Sequence, residues 1–324
     1  MSVSIKIVYL HILLAPYTYK YRNCNIEKRS EITLRIIATD MDGTLLNEYG
    51  RVSSENAEAI RKAQAAGIEV VVVTGRPYTN AVLPLEKAGL SCPIISLNGA
   101  EWRDRQGEIL KRIPLEKEIC KKIQAVCEEE DVYFEYFTNN GVISKSPQDR
   151  FVQLMTKLNA DKYPEIDLET LKQIVSQRSK ERFKHENCQQ VENLDPLYED
   201  EKIVIYKMFV LSANPEQLEK MKQQLKKESC LTITSSESGN IEFNHPDAQK
   251  GMTLKLYADS KGISMQDVMA LGDNYNDLSM LQMVGRGVAM GNAVDDIKKA
   301  CRYETDSNVE HGVARAIEEM LSEL

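Results

Sequence analysis

The apolar run Leu34-Arg35-Ile36-Ile37-Ala38-Thr39 stops abruptly at Asp40-Met41-Asp42-Gly43-Thr44. A buried β-strand ending in two carboxylates, two residues apart, constrains this chain more than any other feature. In extended backbone, residues i and i+2 project to the same side. Both acids can therefore face one reacting atom or one cation, and Gly43 permits a sharp turn just beyond them. Asp-Gly is also ordinary turn chemistry, and Asp-x-Asp-Gly opens calcium-binding loops. Such a loop needs an acid at about its twelfth position. Counted from Asp40 that position is Arg51, so the calcium loop is excluded.

Four further apolar runs have the length and β-branched content of buried parallel strands: Glu69–Thr74, Pro93–Leu97, Val268–Gly272 and Gly287–Met290. Helical patterns lie between them. Ser53 can cap the first helix, and Ala57, Ile60 and Ala63 give it an inner face before Gly67 stops it. Pro77 suits the first turn of a second helix, which Pro84 is expected to kink or end. Met252–Lys261 and Leu278–Val284 read as two more. Alternating strands and helices predict a parallel sheet covered on both faces, an α/β fold. Open sheets of this kind bind ligands beyond the carboxyl ends of their strands. Here those ends carry Asp40-Met-Asp, Thr74-Gly-Arg, Asn98-Gly-Ala, Gly272-Asp-Asn-Tyr-Asn-Asp and Gly291-Asn-Ala, which would converge on one crevice.

Residues 113–238 break the alternation. Cys120–Glu130 and Pro215–Lys227 read as helices, and Val132–Phe137, Val142–Ser146, Ile203–Leu211 and Leu231–Ser235 as strands. Asn139-Asn140-Gly141 marks a hairpin. The expected organisation is a core of residues 34–112 and 239–324 with an α+β domain, 113–238, inserted between its third and fourth strands. Residues 1–33 are expected to lie outside the fold. Their apolar stretch Ile5–Ala15 is too short to span a bilayer. It reads as part of a tail, with a signal peptide as the alternative.

The chain of 324 residues is acidic, with 49 Asp and Glu against 41 Lys and Arg and a net charge of −8. That balance argues against a nucleic-acid or membrane-surface binder. Any anionic substrate must then be held by a local positive site. Seven cysteines (24, 92, 120, 127, 188, 230 and 301) are scattered without C-x-x-C pairs, and the four histidines do not cluster. This usage fits a cytoplasmic protein without a zinc site.

Four separated elements supply the parts for phosphoryl transfer through an aspartyl-phosphate. Asp40 can attack phosphorus. Asp42 can give a proton to the leaving alcohol and later take one from water. Thr74 and the Gly75 amide can donate to phosphate oxygens. Lys250 opens a predicted helix, where its charge opposes the helix dipole; an anion shared with the helix amides would account for it. Magnesium usually binds one or two carboxylates plus water and substrate phosphate, a count that Asp40 and Asp273 meet. Carboxylates beside a dianionic phosphate require a cation, so Lys250 and Mg²⁺ are needed together.

These elements resemble, in order, the four motifs of the haloacid dehalogenase superfamily: Asp40-Met-Asp-Gly-Thr, Thr74, Lys250, and Gly272-Asp-x-x-Asn-Asp. The wide gap between the second and third is similar to that of the Cof-type branch, which carries a type C2 cap. Asn98-Gly-Ala and Met290-Gly-Asn-Ala also resemble that branch's loops. The resemblance implies a Rossmannoid core, a cap that governs substrate choice, and Mg²⁺-dependent hydrolysis of small phosphorylated metabolites, of the sugar phosphate or flavin mononucleotide class. Residue by residue, it implies that Asp40 is nucleophile and metal ligand. Asp42 would be acid/base and lend its backbone carbonyl to the metal, with Asp273 as the other ligand. Thr74, Gly75, Lys250, Asn276 and the Met41 amide would hold phosphate, and Asp277 would orient Lys250 or metal-bound water. His245-Pro246-Asp247-Ala248 stands where the family often has a Gly-hydrophobic pair, a departure that bears on local loop shape. A phosphomutase is the nearest alternative, because related capped members return the phosphoryl group to a sugar. A phospho-ligand sensor without turnover is the alternative from another class, although a pure binder has no need of Asp40. Trp102, Tyr133, Phe134, Tyr136 and Phe137 are candidates for stacking on a substrate ring, against simple packing.

Overall fold

A computed structural model describes residues 34–235 and 239–323. The expected N-terminal extension, with its apolar stretch, lies outside the described residues. The chain first lays down β1 (Ile36–Thr39), β2 (Glu69–Val73), β3 (Ile94–Ser96), β4 (Glu101–Arg103) and β5 (Ile109–Arg112). Six strands follow: β6 (Tyr133–Thr138), β7 (Gly141–Ser144), β8 (Gln189–Gln190), β9 (Ile205–Leu211), β10 (Thr232–Thr234) and β11 (Asn240–Asn244). It then returns with β12 (Val268–Gly272), β13 (Arg286–Ala289) and β14 (Tyr303–Glu304).

The first sheet has the order β14-β13-β12-β1-β2-β3-β4-β5. β1 pairs in parallel with both β12 and β2, and every residue of the strand is buried. Strands buried on both faces need no polar alternation, so Ile36-Ile-Ala and Val70-Val-Val-Val read as continuous apolar runs. All five strands expected from the sequence occupy this sheet, and β4 and β5 extend it antiparallel. Ser53 caps the helix Ser54–Ala65 by accepting from the Asn56 amide. Pro84 does not end its helix, which runs over Tyr78–Lys87. Helix Lys250–Ser260 and helix Gly312–Ser322 bury Leu254, Tyr257, Val313 and Ile317 in the same apolar cluster as β1 and β2.

The second sheet has the order β10-β11-β9-β6-β7-β8 and is antiparallel apart from the short β7–β8 pair. One face is apolar: Phe134, Tyr136, Met208, Val210, Ile241 and Phe243 pack with Ile119 and Ile123 of helix Lys117–Glu129 and with Met221 of helix Pro215–Leu225. β11 corrects the expected boundary. The core was expected to resume at residue 239, but Asn240–Asn244 pairs with β9 and β10 in the second sheet. A short strand with apolar residues at alternate positions gives no sign of which sheet will take it, because the partner is set by hydrogen bonding at long range. Residues 148–185, left unassigned from the sequence, form two helices, Gln148–Ala160 and Leu168–His185.

Candidate active site

The carboxyl ends of β1, β2, β3 and β12 meet on one side of the first sheet. Asp40 follows β1, its amide bonded to Leu271 O of β12 at 3.0 Å. The backbone then turns through Asp42 and through Gly43, whose φ is +75°. A side chain on Gly43 would collide with the Asp273 carboxylate, so glycine is required here for both conformation and space. Thr44 Oγ1 donates to Asp273 Oδ1 at 2.8 Å and fixes that acid over the turn.

Lys250 sits behind Asp40. Its ammonium donates to Asp40 Oδ1 and to Asp277 Oδ1, each at 2.5 Å, and all three side chains are almost wholly buried. Two carboxylates across one ammonium supply the reason for a cation at this helix start. Asp277 Oδ2 meanwhile accepts the amides of Asp273 and Asn274 at 2.9 and 3.0 Å. The second acid of this loop is thus committed to Lys250 and to its own backbone.

The electrostatics follow from that crowding. Burial pushes the Asp40 carboxyl well above the usual carboxylate range; Lys250 opposes the shift, and Asp277, Asp273 and Asp42 add to it. Burial likewise raises Asp273 to about 6, with Asp277 adding and Thr44 and Lys250 opposing. Burial alone would lower Lys250, but Asp277 and Asp40 outweigh it and hold the ammonium protonated. Oxygens of Asp40, Asp273 and Asp277 lie within 4.8 Å of one another. With Asp277 engaged as described, Asp40 and Asp273 are the pair able to take a hard cation. An all-oxygen set with two carboxylates fits magnesium.

Asp42 faces the same space from the exposed side. Arg76 grips it bidentately, Nε to Oδ2 at 2.6 Å and Nη2 to Oδ1 at 2.5 Å. Arg76, the last residue of the Thr74-Gly-Arg strand end, is a candidate site residue to which the sequence reading gave no role. Thr74 is buried at the end of β2, its amide bonded to Ile95 O at 2.8 Å, and its hydroxyl accepts the Arg76 amide. Leu97 and Asn98, both with φ above +50°, curl the β3 end back so that the Asn98 amide meets Thr74 O at 2.9 Å. The structure brings Asp40, Asp42, Thr74, Gly75 and Asn276 to one cavity of about 400 Å³. Lys250 and Asp273 stand behind and beside it. Met41 is wholly buried and is not among the residues that line this cavity. The loop containing His245-Pro246 closes by a bond from the Ala248 amide to His245 O at 2.9 Å.

The second sheet forms the opposite wall of this cavity, through Phe137, Lys207, Phe209, Leu211, Asn240 and Glu242. Arg182 of helix Leu168–His185 joins them, held by both oxygens of buried Glu135 at 3.0 and 2.6 Å. Nothing in the sequence marks Lys207, at alternate positions with Phe209 and Leu211, or Glu242, in a strand the sequence left unassigned, as part of the site. Of the aromatics expected to stack or pack, only Phe137 lines the cavity. Trp102 packs against Tyr257, Tyr133 against Phe151, and Phe134 against Tyr136 on the apolar side of the sheet. Among the described residues no helix is long and apolar enough to cross a membrane.

The family model for haloacid dehalogenase-like hydrolases matches residues 37–317. The phosphatase YwpJ of Bacillus subtilis is 36% identical over 290 residues, spanning 89% of this chain and 100% of that protein. The 5-amino-6-(5-phospho-D-ribitylamino)uracil phosphatase YwtE of the same organism is 34% identical over 289 residues, with 89% and 99% covered. A solved structure of a haloacid dehalogenase-like hydrolase from B. subtilis superposes with a TM-score of 0.79 at 34% identity, covering 88% of this chain and 99% of that one.

Proposed function

Because this chain belongs to the haloacid dehalogenase-like hydrolases and is a phosphoric monoester hydrolase, we propose that it cleaves small phosphorylated metabolites by way of a phosphoryl group carried on Asp40. One observation carries the reading. Asp40 lines a cavity that also holds Asp42, Thr74, Gly75 and Asn276, with the buried Lys250 ammonium 2.5 Å from its carboxylate.

A phosphate monoester enters with its oxygens toward Thr74 Oγ1, the Gly75 and Met41 amides and Asn276. An Asp40 oxygen attacks phosphorus while the bond to the ester oxygen breaks, and Asp42 gives that oxygen its proton. Water then attacks the same phosphorus, Asp42 takes up its proton, and the bond to Asp40 breaks to release inorganic phosphate. The Arg76 fork holds the Asp42 carboxylate in place between these two steps. Lys250 offsets negative charge as it grows on Asp40 and the phosphoryl oxygens. Asp40, Asp273 and the Asp42 backbone carbonyl would hold Mg²⁺, which would supply positive charge to offset a dianion approaching these acids. Asp277 keeps Lys250 and the Asp273 loop in register.

The size of the cavity supports a substrate of the sugar phosphate or flavin mononucleotide class, and relative YwtE is named for a ribityl phosphate. The second-sheet insert is read as the cap that selects among them. The six described cysteines are free thiols, which supports a reducing, cytoplasmic setting. Inorganic phosphate release from p-nitrophenyl phosphate, measured with and without Mg²⁺ in the wild type and in Asp40→Asn, tests the reaction. Metal-dependent release that the substitution abolishes is expected. Release that survives the substitution would overturn the aspartyl-phosphate route.

A further inference from the structure

The catalytic cavity has a neighbour. A second cleft, of about 670 Å³, lies between helix Gln148–Ala160 and helix Leu168–His185. Arg76, Phe151, Met155, Asn159, Lys162 and Arg182 line both spaces, which therefore meet along these six residues. Beyond them the second cleft is walled by Tyr163, Ile166, Leu171, Ile174 and Val175. Leu171, Ile174, Val175, Arg178 and Arg182 recur at three- and four-residue intervals and so share one face of their helix. That face runs for about 16 Å. The apolar wall is thus long and aliphatic rather than a compact bowl.

Two helices side by side normally cover such a stripe with each other, and Phe151, Leu171 and Val175 are buried in that way. Tyr163 and Ile174 are not. They remain 44% and 38% exposed while lining the cleft. The polar groups along it are mostly engaged elsewhere. Arg76 holds Asp42, and Arg182 holds Glu135 with its guanidinium 4.7 Å from the Phe151 ring centre. Asn159 Nδ2 turns back to donate to Met155 O at 2.7 Å. Arg178 is exposed, and a side chain of its length can keep its charge in water.

We propose that this cleft is a subsite for an aliphatic chain, so that the enzyme also hydrolyses phosphate monoesters of long apolar alcohols, releasing inorganic phosphate and the free alcohol. The inference rests on the phosphatase reading, because the Asp40 site still takes the phosphate. The chain leaves it past Phe151 and Met155 and lies along Ile174 and Val175. There it covers apolar surface that otherwise faces water. These contacts are the same before and during the reaction, so they lower KM and leave kcat unchanged. A hydroxylated chain of equal length would lose its water along the aliphatic wall and gain little in return.

The test measures phosphate release, with Mg²⁺, from n-butyl, n-hexyl, n-octyl and p-nitrophenyl phosphate, each kept below the concentration at which it forms micelles. In the wild type, kcat/KM should rise about twofold or more for each added methylene group, roughly 16-fold from butyl to octyl, and the rise should come through KM. Ile174→Glu places a carboxylate in the cleft at a half-exposed position, where folding tolerates it. It should cut the octyl-to-butyl ratio to about 2 and leave p-nitrophenyl phosphate unaffected. A wild type that cleaves p-nitrophenyl phosphate but gains nothing from butyl to octyl overturns the subsite and leaves the phosphatase reading standing. A gain that persists in full in Ile174→Glu overturns it as well, since the chain then lies elsewhere. Release from none of the four esters overturns the phosphatase reading and the subsite with it.

Discussion

Lys250→Met isolates the electrostatic frame of the site. The substitution keeps most of the side-chain volume but leaves Asp40 and Asp277, both buried and both 2.5 Å from the lost ammonium, facing each other without a cation. The folded variant then relieves the repulsion by taking a proton on Asp40, whose carboxyl burial already holds above the usual range. Protonating a carboxyl of ordinary pKa costs about 4 kcal/mol at pH 7 and about 1.5 kcal/mol at pH 5. The larger figure agrees with the roughly 3–5 kcal/mol seen when one partner of a buried pair is removed. At roughly 2–4 °C per kcal/mol for a domain of this size, Tm should fall by about 8–16 °C at pH 7 but only about 3–6 °C at pH 5. The sign follows from proton counts. The folded variant holds a proton that the unfolded chain has shed, so its stability declines as pH rises, and the gap to wild type widens. Lys250 itself, held above its ordinary value, contributes stability that is present throughout this window and is lost only at much higher pH. Scanning calorimetry of both proteins at pH 5, 6 and 7 with chelator present measures the gap. A Tm difference that is the same at all three pH values would refute the reasoning.

Asp40→Asn should lower turnover by several orders of magnitude while folding survives, since relieving crowded acids is seldom destabilising; a variant keeping a tenth of wild-type phosphate release contradicts this. Chelation should abolish activity, and Ca²⁺, with its longer and looser coordination, should not restore it. Asp273, raised to about 6, binds its proton more tightly folded than unfolded, so the metal-free protein should lose stability as pH rises from about 4 toward 6. The same proton competes with Mg²⁺, and titration calorimetry should find affinity falling up to about tenfold per pH unit below 6; constant affinity down to pH 5 would remove Asp273 from the ligand set. Gly43→Ala should weaken Mg²⁺ binding at least about tenfold, because its methyl group meets the Asp273 carboxylate at a φ of +75°; wild-type affinity in that variant would show that the turn is not part of the site.

The sequence by itself determined the local chemistry. Runs such as Ile36-Ile37-Ala38 and Val70–Val73 can be satisfied only in a strand buried on both faces, and the residues at their ends had to share one edge of a parallel sheet. That logic put Asp40, Asp42, Thr74 and Asp273 at one sheet edge without coordinates. The helix dipole separately marked Lys250 as a charge in need of a compensating partner, and its partners in the structure are Asp40 and Asp277. Tertiary structure decided everything that depends on which surfaces meet. Strand β11 joined the second sheet because hydrogen-bond partners are chosen across long sequence separations. Lys207 stands beside Phe209 and Leu211 at alternate positions of β9, and Glu242 between Asn240 and Asn244 on β11, and both charges are buried against the loops of Gly75 and Asn98. Period-two patterning tells which side chains share a face, but not whether that face meets water or another sheet edge, and the wall of this cavity was set by that second choice.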